Sequence, residues 1–172
     1  MTRAEGPTPA HGNRPPDRLR PLLEATLAGS VAVWVMDRLD WFIFEHEDPR
    51  ARRRTESVRP GGMDPAEALA GKLAHAVGTE LGRAPPHRQP AGLVIHYAVP
   101  IGLTLLYRTL RKRSRGVSLG GGALFGATTF LLLDEVINPM LGLAAAPSAY
   151  PWQRHVRELT GHVVYGMLAH QS

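Results

Sequence analysis

Apolar and polar stretches alternate along the chain, and the longest uncharged stretch, from Gly116 to Leu133, is followed at once by Asp134 and Glu135. About 18 uncharged residues is the length at which a membrane span becomes a better reading than a buried helix. Ser118 suits an N-cap, and Pro139 disfavours helical geometry at Asn138. The pattern therefore predicts a helix over about 118–137, roughly 30 Å long. A second apolar stretch, Leu22 to Phe44, is interrupted by Asp37, Arg38 and Asp40. On a helical wheel Thr26, Ser30, Asp37 and Asp40 share one stripe, predicted to face the protein interior or the interface. Trp41, Phe42 and Phe44 suit an interfacial aromatic belt. The third stretch, Ala91 to Tyr107, has His96 as its one residue with a proton to take up, and Pro100 predicts a kink that neighbouring helices must accommodate.

A fourth helix is predicted from about Trp152, with His155, Glu158, His162 and Tyr165 on one face at spacings of three, four and three. Between helices, residues 138–152 are uncharged and proline-bearing, which predicts an apolar connection or re-entrant loop. Residues 45–90 form a polar loop with one short amphipathic helix over 65–77. Its start is legible in Asp64-Pro65-Ala66-Glu67, an N-cap, a proline at the first helical position and a glutamate that closes a capping box. Residues 1–21, with five prolines and four arginines, read as a disordered basic tail ahead of a single helical membrane domain, 22–172. The expected fold is all-α, a small polytopic membrane bundle of about four membrane helices.

Composition narrows the chemistry. The 172 residues contain no cysteine, which removes thiolate metal sites, disulfides and cysteine catalysis. A net charge of +5 permits anionic partners, but the cations are segregated rather than interleaved with aromatics, so no nucleic-acid partner is expected. Arg108, Arg111, Lys112, Arg113 and Arg115 immediately follow an apolar stretch, the usual mark of a cytoplasmic end. That short loop outweighs the longer polar one, so both termini are expected in the cytoplasm.

Glycines mark the contact face. Gly116, Gly120, Gly122 and Gly126 line the first half of the uncharged stretch, and Gly122 to Gly126 forms a small-xxx-small pattern that lets helices approach closely in lipid. The ionisable residues at apparent membrane depth are Asp37, Asp40, His96, Asp134, Glu135, Glu158 and His162. If the helices turn their polar stripes inward, these residues converge into an intramembrane cluster, suited to proton relay, ion passage or metal binding. His155, Glu158 and His162 are the candidate metal ligands, although HExxH and the paired Glu-x-x-His of di-iron bundles are both missing. Haem ligation by His96 and His162 has nothing beyond helix-borne histidines behind it. The competing reading has Asp37, Arg38, Glu135 and Arg157 in ion pairs near helix ends, with His96 and His162 as hydrogen-bonded packing residues. No serine-nucleophile motif is present, so no catalytic residue and no cofactor is assigned.

Several of these residues carry a resemblance. The glycine-rich helix, Asn138-Pro139-Met140-Leu141-Gly142-Leu143, Pro147, Tyr150-Pro151-Trp152, and Glu158 with Gly161-His162 resemble the YagU-like family of bacterial inner-membrane proteins, well over about residues 117–170 and loosely over 22–44. The resemblance implies an integral membrane protein of undefined biochemical function. The expectation is a non-enzymatic inner-membrane bundle with a polar acid and histidine centre, acting in transport, envelope stress or as a scaffold. Its expected partners are the lipid bilayer and a membrane-protein partner or a second copy of the chain. The alternative is a membrane-embedded metal- or haem-binding protein or enzyme using the same cluster, and an outside alternative is a soluble helical domain.

Overall fold

The first helix, α1, runs from Leu19 to His46, so the stretch read as a tail to residue 21 turns helical three residues earlier. The computed structural model describes residues 19–81 and 89–171, and the rest of the predicted tail lies outside them. A short helix, α2, follows over Pro49–Val58, then α3 over Pro65–Ala76 and α4 over Pro90–Arg111. A 3-10 segment at Arg115–Gly122 leads into α5, Ala123–Leu132, and a π turn at Leu133–Ile137 joins it to a last helical turn, α6, Asn138–Met140. The final helix, α7, spans Trp152–His170. Among the described residues there is no strand, and the chain is an all-α bundle.

Three segments are long and apolar enough to cross a membrane: Leu19–His46, Pro90–Arg111 and Arg115–Met140. The sequence pattern predicts about four. The missing one is α7, whose Arg154, Arg157 and Glu158 lower its hydropathy. Large apolar side chains point away from the bundle on every long helix, including Leu27, Val31 and Trp34 on α1, Leu93 and Val94 on α4, and Leu131 and Leu132 on α5. A surface so apolar fits lipid and not water, which disfavours the soluble alternative.

Side-chain contacts fix how the helices run. Arg108 at the end of α4 donates to the Pro21 carbonyl at the start of α1, 3.4 Å, and Arg111 donates to the His170 carbonyl at the end of α7, 2.8 Å. The start of α1, the end of α4, the glycine turn and the end of α7 thus share one end of the bundle, the basic end. The end of α1, α2, α3 and the starts of α4 and α7 occupy the other, the loop end.

The capping box at α3 forms as the sequence predicts: the Glu67 amide donates to Asp64 Oδ1, 2.9 Å, and the Asp64 amide to Glu67 Oε2, 3.3 Å, with Pro65 in the first turn. Asp64→Ala is expected to remove about 1 kcal/mol, seen as a fall of roughly 2–4 °C in the thermal midpoint. The polar loop also contains α2, which was not anticipated. Asp48-Pro49 repeats the arrangement, with the Arg50 amide donating to Asp48 Oδ1 at 2.6 Å.

The glycine-rich stretch departs most from expectation. Gly120, Gly121 and Gly122 have φ of 62°, 61° and 91°, a left-handed backbone that residues with a Cβ avoid. The helix therefore begins at Ala123 and not near Ser118, and Gly122, not Ser118, holds the N-cap position. The helix also continues past Pro139 to Met140. A proline inside an α-helix collides with the carbonyl four residues back. Here that carbonyl belongs to Glu135, inside the wider π turn, which gives the ring room.

Gly122 and Gly126 seat α5 on α7: a Cβ at Gly122 would fall on the Gly166 carbonyl oxygen, and one at Gly126 on the His162 carbonyl oxygen. Gly116 and Gly120 were expected on the same face but take no part in this crossing. A Cβ at Gly116 would meet only Ser114, and Gly120 serves the turn. On α1 the buried stripe is Ala25, Gly29, Ala32 and Val33; of the stripe expected to face the interior or the interface, Thr26 is exposed, whereas Ser30, Asp37 and Asp40 are half-buried. Small residues win that face because α4 comes close: a Cβ on Gly29 would stand 3.1 Å from Thr104 Oγ1.

Candidate functional site: a buried carboxylate, histidine and arginine centre

The apolar and polar sides of α7 are reversed relative to a helix in water. Trp152, Val156, Leu159 and Met167 face outward, whereas Arg154, Arg157, Gly161, Tyr165 and Gly166 are buried. The charged side of α7 needs partners that the other helices must supply.

Arg157, 1% exposed, is the hub. Its Nε donates to Asp40 Oδ1 at 2.9 Å and its Nη1 to Glu47 Oε1 at 2.6 Å, while Nη2 stands 3.6 Å from Glu158 Oε1. The guanidinium also lies over the Phe44 ring, 4.9 Å from its centroid. Arg154 Nη2 pairs with Glu158 Oε2 at 2.6 Å and Nη1 lies 3.7 Å from Glu135 Oε1, with the Tyr150 ring 3.9 Å beneath it. Glu135 Oε1 also accepts from His155 Nδ1 at 2.7 Å, and the other nitrogen of His155 lies 3.2 Å from the Pro147 carbonyl.

The π turn presents two consecutive acids to α7. Asp134 Oδ2 lies 3.4 Å from His162 Nε2 and its Oδ1 accepts from Asn138 Nδ2 at 3.0 Å, while Glu135 reaches His155, seven residues from His162. His162 Nδ1 lies 2.9 Å from the Glu158 carbonyl, so both of its ring nitrogens face acceptors.

Of the seven residues expected to converge, Asp40, Asp134, Glu135, Glu158 and His162 gather around the two arginines. Asp37 and His96 form a separate pair across α1 and α4, with His96 Nε2 3.0 and 3.1 Å from the two carboxylate oxygens. His96 is thus paired with Asp37, while His162 is directed to Asp134 and the Glu158 carbonyl. The metal-ligand candidates are likewise directed apart: His155 to Glu135, Glu158 to the arginines and His162 to Asp134. Among the described residues, no three His, Asp or Glu side chains converge as a metal-binding group. The competing ion-pair reading holds for Arg157 and Glu135 but with other partners, since Asp37 pairs with His96.

Glu47 and Arg154 belong to the centre without being named by the sequence pattern, and Arg157 is named there only as an ion-pair residue near a helix end. Glu47 is 5% exposed and continues the α1 face that carries Asp40 and Phe44, at spacings of four and three, a signal available in the sequence. Arg154 and Arg157 follow from the outward apolar stripe of α7, which leaves the opposite side to face the bundle.

Toward the basic end the centre gives way to an apolar layer. Ala32, Val33 and Tyr165 form its core, with Met36, Tyr97, Leu103, Phe125 and Leu168 packed around them. Within this layer the Tyr165 hydroxyl donates to the Pro100 carbonyl at 2.6 Å and lies 2.9 Å from Thr104 Oγ1, tying α7 to α4.

A family model described as "Protein of unknown function (DUF1440)" matches residues 84–171, about half of the chain. No curated protein and no solved structure matches. The matched segment contains Asp134, Glu135, Arg154, Arg157, Glu158 and His162, whereas Asp40 and Glu47 lie before it.

Proposed function

The chain belongs to the DUF1440 family, the one called YagU-like, and from that premise we propose that it is a small non-enzymatic membrane protein whose buried centre takes up and releases protons or a cation in transport. It works in a bacterial inner membrane with both termini in the cytoplasm. That orientation has support from Arg108, Arg111, Lys112, Arg113 and Arg115 at the basic end, where α1 begins and α7 ends. The polar face of α7 is turned inward and its apolar stripe outward, which supports a fourth crossing by α7 itself.

One observation carries the reading. Four carboxylates, Asp40, Glu47, Glu135 and Glu158, face two guanidiniums, Arg154 and Arg157, while a fifth, Asp134, lies beside His162, and His155 and His162 are neighbours that can carry charge. An excess of buried negative charge is costly in a low-dielectric setting and must be neutralised by bound protons or a cation. The apolar layer around Val33 and Tyr165 separates the centre from the basic end, so exchange runs through the loop end.

Infrared difference spectroscopy of the protein in liposomes, titrated with acid and base, tests this. A protonated-carboxyl band that grows on acidification and is diminished in Glu158→Gln is the expected result. A spectrum with no pH-dependent carboxyl band, unchanged by sodium or potassium, would sink the proposal.

A further inference from the structure

A second feature lies away from the polar centre. Between α1 and α7, on the outside of the bundle, a groove of about 630 Å³ is walled by Leu27, Ala28, Val31 and Leu168 and ends at Glu24 and Gln171. Its volume falls within the ~300–1,000 Å³ of ordinary small-molecule sites. The walls are apolar and face outward from the bundle, with Leu27 68% exposed.

The mouth is the opposite in character. Glu24 is held by Arg20 Nε at 2.9 Å and by Arg108 Nη2 at 3.3 Å. Arg111 donates to the carbonyl of His170, the residue before Gln171. Two guanidiniums, Arg20 and Arg108, thus hold one carboxylate, and a third, Arg111, lies at the end of α7 beside Gln171, leaving an excess of positive charge where the apolar groove reaches the basic end.

We propose that this groove binds an anionic phospholipid, with one acyl chain between α1 and α7 and the phosphate at Arg108 and Arg20. Guanidinium forks match phosphate oxygens in geometry and charge, and basic pockets at the cytoplasmic ends of membrane helices recognise anionic headgroups. A second copy of the chain suits the groove less well. A two-fold contact places the same patch on both partners, and here it would bring two cationic mouths together. The inference does not rest on the function proposed for the polar centre.

Thermal unfolding of the purified full chain in detergent tests it, with phosphatidylglycerol, phosphatidylcholine of the same chain length, or inorganic phosphate added. Phosphatidylglycerol at ~100 times its Kd is expected to raise the midpoint by about 5–10 °C, and the other two to leave it unchanged. Ala28→Phe, which fills the groove, and Arg108→Gln, which leaves Glu24 paired with Arg20, are each expected to abolish the rise. An equal rise with phosphatidylcholine or with inorganic phosphate overturns the proposal. So does a rise that persists in Ala28→Phe. A lipid-free dimer that Ala28→Phe dissociates would assign the groove to a second copy instead.

Discussion

Arg157→Leu is expected to destabilise the protein by about 3–5 kcal/mol, because removing one partner of a buried ion pair leaves the other charge uncompensated. Asp40 can turn outward, since its side chain is 40% exposed, but Glu47 at 5% cannot. Unfolding in detergent by heat or by denaturing surfactant measures the loss. Arg157→Lys keeps the charge but not the fork that reaches Asp40 and Glu47 together, so it is expected to recover only part of the stability. Adding Glu47→Gln to Arg157→Leu removes the stranded charge, and the double variant is expected to be more stable than Arg157→Leu alone. If the single and double variants unfold together, Glu47 is not the group that Arg157 neutralises.

Gly126→Val has the second largest expected effect. Overpacking a tight contact costs about 1–3 kcal/mol and occasionally more. Here the added Cβ would overlap the His162 backbone carbonyl, which no rotamer change can move aside. The helices must separate, so the loss is expected at or above the top of that range. Gly71→Ala, on α3, is the control, because a Cβ there meets nothing within 4 Å. It is expected to be neutral or to stabilise by up to about 1 kcal/mol. Equal unfolding midpoints for the two variants would show that α5 does not rest on α7 through Gly126.

How much of this was legible differs from element to element. The apolar stretches gave the bundle because a 20-residue hydrocarbon requirement leaves few alternatives, and Asp64-Pro65-Ala66-Glu67 announced α3 because a capping box is local chemistry. The Asp48-Pro49 start of α2 was equally local, but it was masked by the charge of Arg50, Arg52, Arg53 and Arg54, which reads as solvated loop. The glycine stretch misled for a different reason. Its apolar residues suggested a helix throughout, while three successive glycines allowed a left-handed turn that periodicity cannot register. The π turn is invisible to a wheel of 3.6 residues, so the sequence placed Asp134 and Glu135 on the right helix without showing that both reach α7. The polar centre was half legible. Its acids and histidines stand out at apparent membrane depth, but Glu47 reads as part of the polar loop, Arg157 as an ion-pair residue near a helix end, and Arg154 as nothing in particular. Their roles depend on tertiary pairing, which comes only from the packing of α1, α5 and α7.

The reversed character of α7 has a consequence for biosynthesis. α1, α4 and the segment with α5 are apolar enough to partition into the bilayer one by one as they leave the ribosome. α7 is not, since each arginine at the centre of a lone helix costs about 2.5–3.5 kcal/mol to insert. It is the last of the described helices to be synthesised. By then the carboxylates of Asp40, Glu47 and Glu135 and the glycine seat on α5 are already in place to receive it. On the proposed four-crossing arrangement, entry of α7 is the assembly step itself, and a bundle that cannot offer those partners would leave α7 stranded at the membrane surface.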